Sequence, residues 1–528
     1  MPAGMIFSVS GPAIISDDRD ALFSAWAFLT SRMGKALIEM GVGSGDTSLS
    51  GTAARHYRIR IMDTCPFPTF SQEQQNLLAE GVKSLYEVNL ETLIREETHR
   101  LYAPEMWHES ESLASIARKR WETDVDRFVR AAEAAEKVDG SVATALGLDD
   151  DAEIEALAGP HAARQSCKAL DSSQQDEVRH LLSLSEDEAC DFAIERKVHT
   201  RIATKKTYFF SRKLELASLL VKAHPREIAT HAAKMEEGWQ SYLPDVSRSI
   251  LSFAAGVWFG RWDVRKALEH NRNAASVNPF EALPTRSPGM LDPDSQTAPS
   301  AYPVRVGTNG LAVDDKDHAD DIVRQVRTVL EVSWKDRTEA IEKETCDILG
   351  VKELRDYFRK PGKGGFWDDH VSRYSKSRRK APIYWLLQSS KKNYALWLYY
   401  HRLDKDLLFK ALVNYVEPKI QRETNRLDEM RRQKQAAGES GKGAKKLDKE
   451  IERQEDLISE LRDFEDKLRR AANLHLEPDL NDGVVLNIAP LHELVPWKEA
   501  KNYWEELLEG KYEWSTLSKQ LRQKGIVK

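Results

Sequence analysis

Two apolar heptad runs near the C-terminal end narrow the fold more than any other feature of the chain. Val416, Ile420, Leu427 and Met430 form the first, and Leu447, Ile451, Ile458, Leu461 and Leu468 the second. Residues three and four apart share one helix face, so each run specifies a helix with a narrow apolar seam. Between them lies Gly438-Glu439-Ser440-Gly441-Lys442-Gly443, a flexible break that lets the chain reverse. Two helices of about 20 residues so joined fold back as an antiparallel coiled-coil hairpin, each arm about 30 Å long. This hairpin is expected over 416–472. At 528 residues the chain exceeds what one core usually spans, so further domains precede it.

The expected class is α+β, predominantly helical and multidomain. Residues 1–110 read as a small α+β unit. Short strands at 5–10 and 13–16 flank the turn pair Gly11-Pro12, and a helix puts Leu22, Trp26, Leu29, Met33 and Leu37 on one face. Tyr57, Ile59 and Ile61 alternate with Arg58 and Arg60 as in a half-buried strand, which Cys65-Pro66-Phe67-Pro68 ends. Ser71 and Gln74 then form a capping box. Residues 111–171 read as a helical connector and 172–275 as a helical domain. The stretch 276–310 holds six prolines and opens a linker reaching 320. A basic α+β domain follows over 321–415. It starts with one long amphipathic helix marked by Ile322, Val326, Val329, Trp334, Ile341 and Ile348, and carries strand-like runs at 381–387 and 394–400. A helical segment, 473–528, ends the chain.

Composition excludes several classes. Charged residues are 31% and mean hydropathy is −0.55. The most apolar stretch, 250–260, is far shorter than the roughly 18 residues of a membrane span. No secretory signal pattern opens the sequence. Cys65, Cys167, Cys190 and Cys346 lie far apart, which excludes a disulfide scaffold and fits a reducing cytoplasm. The net charge of −6 (78 basic against 84 acidic) argues against a protein that coats polyanions with its whole surface. Residues 352–392 invert that balance, with 12 basic against 4 acidic, a local net of +8. A basic island on an acidic chain suggests a directed contact, and phosphate is its commonest partner.

Few motifs carry chemistry. Gly41-Val42-Gly43-Ser44-Gly45-Asp46 follows a helix, whereas a cofactor loop needs a strand before it and a helix start after it, so it reads as an ordinary loop. Gly441-Lys442 lacks the rest of a phosphate-binding loop. Asn278-Pro279-Phe280 resembles part of the Asn-Pro-Pro-aromatic element that holds a flipped base, but with one proline inside a linker it reads as a turn. No metal-ligand or nucleophile set stands out, and we assign no catalytic, metal or cofactor residue. The richest segment is Arg373-Tyr374-Ser375-Lys376-Ser377-Arg378-Arg379-Lys380, whose basic, aromatic and hydroxyl groups all suit phosphate oxygens. With Lys391 and Lys392, the residues Arg373, Lys376, Arg378, Arg379 and Lys380 form the candidate DNA-binding set; the alternative is a solvated loop.

Lys380-Ala381-Pro382-Ile383-Tyr384-Trp385-Leu386, followed by Tyr399-Tyr400-His401-Arg402, resembles the C-terminal half of large adenine-specific DNA methyltransferases. Those belong to BREX and DISARM phage-defence systems and are related to single-chain type II restriction–modification enzymes. Gly256 with Phe259-Gly260-Arg261-Trp262-Asp263 is similar to a segment they carry before the same linker. Phe28-Leu29-Thr30-Ser31-Arg32 and Cys65-Pro66-Phe67-Pro68 resemble the end of their target-recognition domain. Such enzymes also carry a Rossmann-like domain with a glycine-rich S-adenosylmethionine loop and the Asn-Pro-Pro-aromatic motif, and neither stands in this sequence. The resemblance therefore implies the specificity and DNA-clamping portion of a split or truncated enzyme, with Met1 inside the recognition domain. Its partners would be double-stranded DNA, a catalytic chain or domain holding the S-adenosylmethionine, and other defence-system subunits, with no membrane. The alternative is a helical scaffold subunit of the same complex. A nuclease with hidden chemistry has less support.

Overall fold

A computed structural model describes residues 14, 16–42, 65–148, 150, 153, 168–196, 198, 212–269, 278, 280–292, 302–360, 362, 364–376, 379–437 and 442–527. The strands expected at 5–10 and 57–61, two of the four residues of that at 13–16, and Gly43 to Asp46 lie outside them; Ile14 and Ser16 are described and lie in no strand. The protein is predominantly helical α+β, as its periodicities imply. Among the described residues no helix is long and apolar enough to cross a membrane. The chain divides into two units, each gathered from separate segments.

The first unit comprises Met1–Glu105, Ala114–Leu243 and His270–Pro288. It contains α1 (Arg19–Thr30), α2 (Arg32–Val42), α3 (Gln72–Leu93) and α4 (Leu113–Ala145). The helix expected to run unbroken through Met33 is interrupted at Ser31. Its hydroxyl donates to Phe28 O at 2.7 Å and accepts from Gly34 N at 3.0 Å, closing one helix and opening the next. Arg32 N donates to Asp139 on α4 at 2.8 Å, which fixes the corner. The buried face is consequently Phe23, Ala27, Phe28 and Met33. Ser71 and Gln74 cap α3 reciprocally, as their spacing predicts. At 33 residues α4 is about 50 Å long and serves two cores. Its end supplies Val138 and Val142 to the core around Phe28 and Leu78. Its beginning supplies Trp121, Val125 and Phe128 to a second core. That core is closed by α5 (Ser172–Ser183), α6 (Glu186–Glu195), α7 (Arg212–Val221) and α8 (Pro225–Ala232), with the short α9 (Glu236–Gln240) beside them.

The second unit comprises Met106–Leu113, Pro244–Glu269 and Gly289–Lys528. Its central helix α10 (Leu243–Trp258) is buried from Ile250 to its end, as an all-round apolar helix must be. The short α11 (Val264–Leu268) follows. A three-stranded antiparallel sheet has the order β1 (Leu311–Val313), β5 (Ala395–Tyr399), β4 (Tyr384–Gln388), and every residue of these strands is buried. Both later strands fall on the runs read as strand-like, β4 reaching one residue past 387. The first lies within the stretch read as linker, so that stretch contributes to the core. The helix expected to continue from Ile322 to Ile348 is likewise two, α12 (Ile322–Trp334) and α13 (Thr338–Leu349), with Lys335 at φ +47 between them. Trp334 explains the break, since its indole donates to Glu111 O at 3.1 Å and stacks on Trp107 at 5.1 Å. Next come α14 (Leu354–Arg359) and α15 (Phe366–Arg373), then the ribbon strands β2 (Ser375–Lys376) and β3 (Arg379–Lys380).

After β5, α16 (Leu407–Ala411) passes through a π-helical turn into α17 (Glu417–Ala437), and α18 (Lys442–Ala472) returns beside it. Pairs Glu417–Arg469 (2.8 Å), Arg431–Glu455 (2.7 Å) and Lys434–Asp448 (2.5 Å) fix the two as antiparallel. Of the break expected at 438–443, residues 438–441 lie outside the described residues, while Lys442 and Gly443 already belong to α18. Burial is uneven along the seam. Val416, Leu461, Phe464 and Leu468 are fully buried, while Met430, Leu447 and Ile451 nearer the tip are only half-buried. Gln454 Nε2 donates to Glu423 O and Oε2 at 2.9 and 2.7 Å, a buried polar layer of the kind that fixes register. Helices α19 (Val484–Ile488), α20 (Lys498–Leu508) and α21 (Thr516–Gln523) form a small core around Leu486, Leu507 and Leu521.

Candidate nucleic-acid interface

Within the second unit, α10 ends in a turn that brings three aromatic segments together. Gly256 makes this possible, because a Cβ there would enter the indole of Trp262 and come within 2.9 Å of Tyr384 Oη. Gly260 at φ +69 then sends the chain back past Val306 and Arg402. Phe259 stacks on Tyr384 of β4 at 4.9 Å and lies 5.7 Å from Tyr399 of β5. His370 of α15 stacks on the other partners of this layer, 4.8 Å from Tyr384 and 4.4 Å from Tyr374. Its Nε2 accepts from Ile383 N and Tyr384 N at 2.9 and 3.0 Å, so the entry to β4 is fixed by two hydrogen bonds. Arg261 lies 4.0 Å over the Trp262 ring and 5.3 Å over that of Tyr374, and its Nη1 donates to Tyr374 Oη. The segments around 259–263 and 380–402, far apart in sequence, are thus one packed node.

The basic ribbon rises from this node. Arg373 at the end of α15 is partly buried, 3.4 Å from Ser249 Oγ and 4.0 Å from Asp245. Ala381 N donates to Tyr374 O at 3.1 Å and closes the root. Above it, β2 pairs antiparallel with β3 in the register Ser375↔Lys380 and Lys376↔Arg379. That register sets Lys376 and Arg379 directly across from each other. Ser377 and Arg378, and the side chains of Lys376, Arg379 and Lys380, lie outside the described residues.

Lys391 and Lys392 stand elsewhere. The ribbon precedes β4 and the lysine loop follows it, so the two lie at opposite ends of a strand about 17 Å long. Lys391 pairs with Asp456 of α18 at 3.1 Å, and Lys392 is exposed at φ +67. The candidate set is therefore split into two groups. Two further cations of the island face inward. Arg355 grips Asp321 with both terminal nitrogens at 2.8 Å and also bonds Asp314, which Arg359 holds from the other side. Beside them Asp315 accepts from Lys419 at 3.0 Å and from Arg422. Burial alone would raise Asp315, but Lys419 and Arg422 outweigh it and hold the carboxyl below its usual range. These aspartates are saturated by cations, which makes the cluster a structural tie.

The sequence reading did not single out Arg261, which bonds Tyr374 at the ribbon's root, or Arg402, whose Nη2 lies beside Gly260. Isolated arginines carry no periodic signal, although both lie in the segments on which the resemblance rests. Asn278 behaves as a turn residue. Its Oδ1 accepts from Phe280 N at 3.0 Å, and Phe280 packs edge-on to Phe23 at 5.2 Å. Among the described residues no group of three or more His, Cys, Asp or Glu is placed to hold a metal ion.

No family model matches the chain. It is 25% identical over 270 residues to the adenine-specific methyltransferase BrxX of Escherichia coli O9:H4 (strain HS), a match covering 48% of this chain and 20% of that protein. It is 28% identical over 154 residues to the adenine-specific methyltransferase PglX of Lacticaseibacillus casei (strain Zhang), covering 27% of this chain and 12% of that protein. The chain is thus related in sequence to adenine-specific methyltransferases and spans about a fifth or less of the relatives' length.

Proposed function

We propose that this chain is the DNA-binding and specificity portion of an adenine-N6-specific DNA methyltransferase of a BREX-type phage-defence or restriction–modification system. Similarity to two adenine-specific methyltransferases carries the reading. The ribbon of β2 and β3 supplies the chemistry: paired short strands with basic residues, rooted in a rigid aromatic node, suit a phosphate backbone. Two observations support placing S-adenosylmethionine on another chain or domain. The glycine run at 41–46 starts inside α2 rather than after a strand, and the Asn278 carboxamide is engaged by its own turn. We therefore assign cofactor binding and methyl transfer to a catalytic chain or domain, and no step of that reaction to residues described in this chain.

The test is duplex binding by the full chain across a salt series. Affinity should fall steeply as salt rises, because each phosphate contact releases counterions. A folded chain that binds no duplex at low salt would overturn the proposal. It would favour instead a helical scaffold subunit that grips a protein through α17 and α18, where Met430, Leu447 and Ile451 are only half-buried. Calorimetric titration with S-adenosylmethionine should show no binding, and a micromolar single site would place the cofactor on this chain after all.

A further inference from the structure

Two arginines from different segments border Gly260. Arg261 follows it in the chain and lies face-on to Trp262 at 4.0 Å and over Tyr374 at 5.3 Å. Arg402 arrives from the end of β5. Its Nη2 is 3.7 Å from where a Cβ on Gly260 would stand, and its stem fills the space left by Gly310 at φ +70. Both side chains are partly exposed. Tyr374 links Arg261 to the ribbon, because its hydroxyl accepts from Arg261 and β2 begins at the next residue.

We infer that Arg261 and Arg402 form a phosphate clamp for double-stranded DNA at the base of the ribbon. The inference rests on the DNA-binding reading and adds two contact residues to it. A two-stranded ribbon fits a major groove about 12 Å wide, and the sugar–phosphate strands bordering the groove would then pass the ribbon's root. The Arg261 guanidinium, lying over the Trp262 ring and hydrogen-bonded to the Tyr374 hydroxyl, has little rotamer freedom left to lose, so it meets a phosphate without much ordering cost. Tyr374 is a positioning residue in this arrangement: it orients Arg261 and carries no charge of its own.

Duplex binding by the full chain at several salt concentrations tests this with Arg261→Met, Arg402→Met and Tyr374→Phe. Each methionine keeps the bulk of the stem and removes one charge, so in a chain that stays folded each should lower the slope of log K against log salt by about 0.9. Tyr374→Phe should weaken binding several-fold with the slope unchanged, because the charge count is the same. If the wild-type chain binds duplex and both arginine variants match it in slope and affinity, the clamp is wrong while the DNA-binding reading stands. If the wild type binds no duplex, both fall together. Should Arg261→Met fail to fold, Arg402→Met gives the same reading from the other segment.

Discussion

Glu460 Oε1 accepts from the backbone nitrogen of Lys391 at 2.8 Å, tying the loop between β4 and β5 to the returning arm of the helix pair. The same carboxylate accepts from Ser389 Oγ at 2.6 Å, Asn393 N at 3.3 Å and Asn393 Nδ2 at 2.7 Å. Glu460 is 4% exposed, and its charge is met by these hydrogen bonds from the loop. Glu460→Gln keeps one acceptor but turns an amide towards donors that need a second. The variant should lose about 1–3 kcal/mol in urea unfolding. Amide exchange at Lys391 and Asn393 should also quicken, because their acceptor is weakened. An unchanged midpoint with unchanged exchange would mean that the loop holds itself.

The seam of α17 and α18 is deep only at its base, and that gradient can be measured. Leu461 and Phe464 are wholly buried, and Tyr394 at the start of β5 meets Phe464 edge-on at 5.4 Å. Leu461→Ala should therefore cost about 2–5 kcal/mol, as truncations in closed cores do. Leu447, half-buried near the tip, should cost much less under the same change. Equal losses at the two positions would show that the tip is covered in solution.

How far the fold could be read from sequence follows from the range of the forces involved. The heptads and the Ser71 cap depend on neighbours three or four residues away, and both were legible. The interruptions at Ser31 and Lys335 were not, because the apolar spacing continues through them. Their causes are Asp139, Trp107 and Glu111, which lie roughly a hundred or more residues distant. Strand β1 has three residues, too few for alternation to register. The candidate site suffered from the same blindness. Counting charge over 352–392 could not reveal that Arg355 and Arg359 face Asp314 and Asp321, nor that β4 separates the ribbon from Lys391 and Lys392.

Acid should loosen the base of the helix pair. Burial would raise both Asp315 and Glu423, yet Lys419 with Arg422 or Gln454 outweighs it, and each carboxyl lies below its ordinary value. A carboxyl depressed in the folded state contributes stability above its unfolded value and loses it as pH falls through the folded one. Stability from this pair should therefore be constant from neutral pH to about 5 and decline below about 4. Asp315→Asn should flatten that decline. At pH 7 it should cost on the order of 3 kcal/mol, because Lys419 and Arg422 lose a buried partner. Urea midpoints measured from pH 3 to 7 check both statements, and an identical acid profile in the variant would discount Asp315.

The ribbon itself gives the sharpest prediction about DNA. Arg378 and Arg379 belong to the most basic stretch of the chain, and the register sets Arg379 across from Lys376. If both arginines contact phosphates, replacing them together with alanine should flatten the slope of log K against log salt by roughly two units. Binding should weaken almost equally on all duplex sequences, since phosphate contacts position a protein without reading bases. The melting temperature should hardly move, because the node beneath is closed by His370, Tyr374 and Tyr384. An unchanged slope in a folded variant would reduce the ribbon to a solvated loop. A loss confined to one duplex sequence would instead make these arginines readers of base edges in the groove, where each bidentate contact is worth about 1–3 kcal/mol of discrimination.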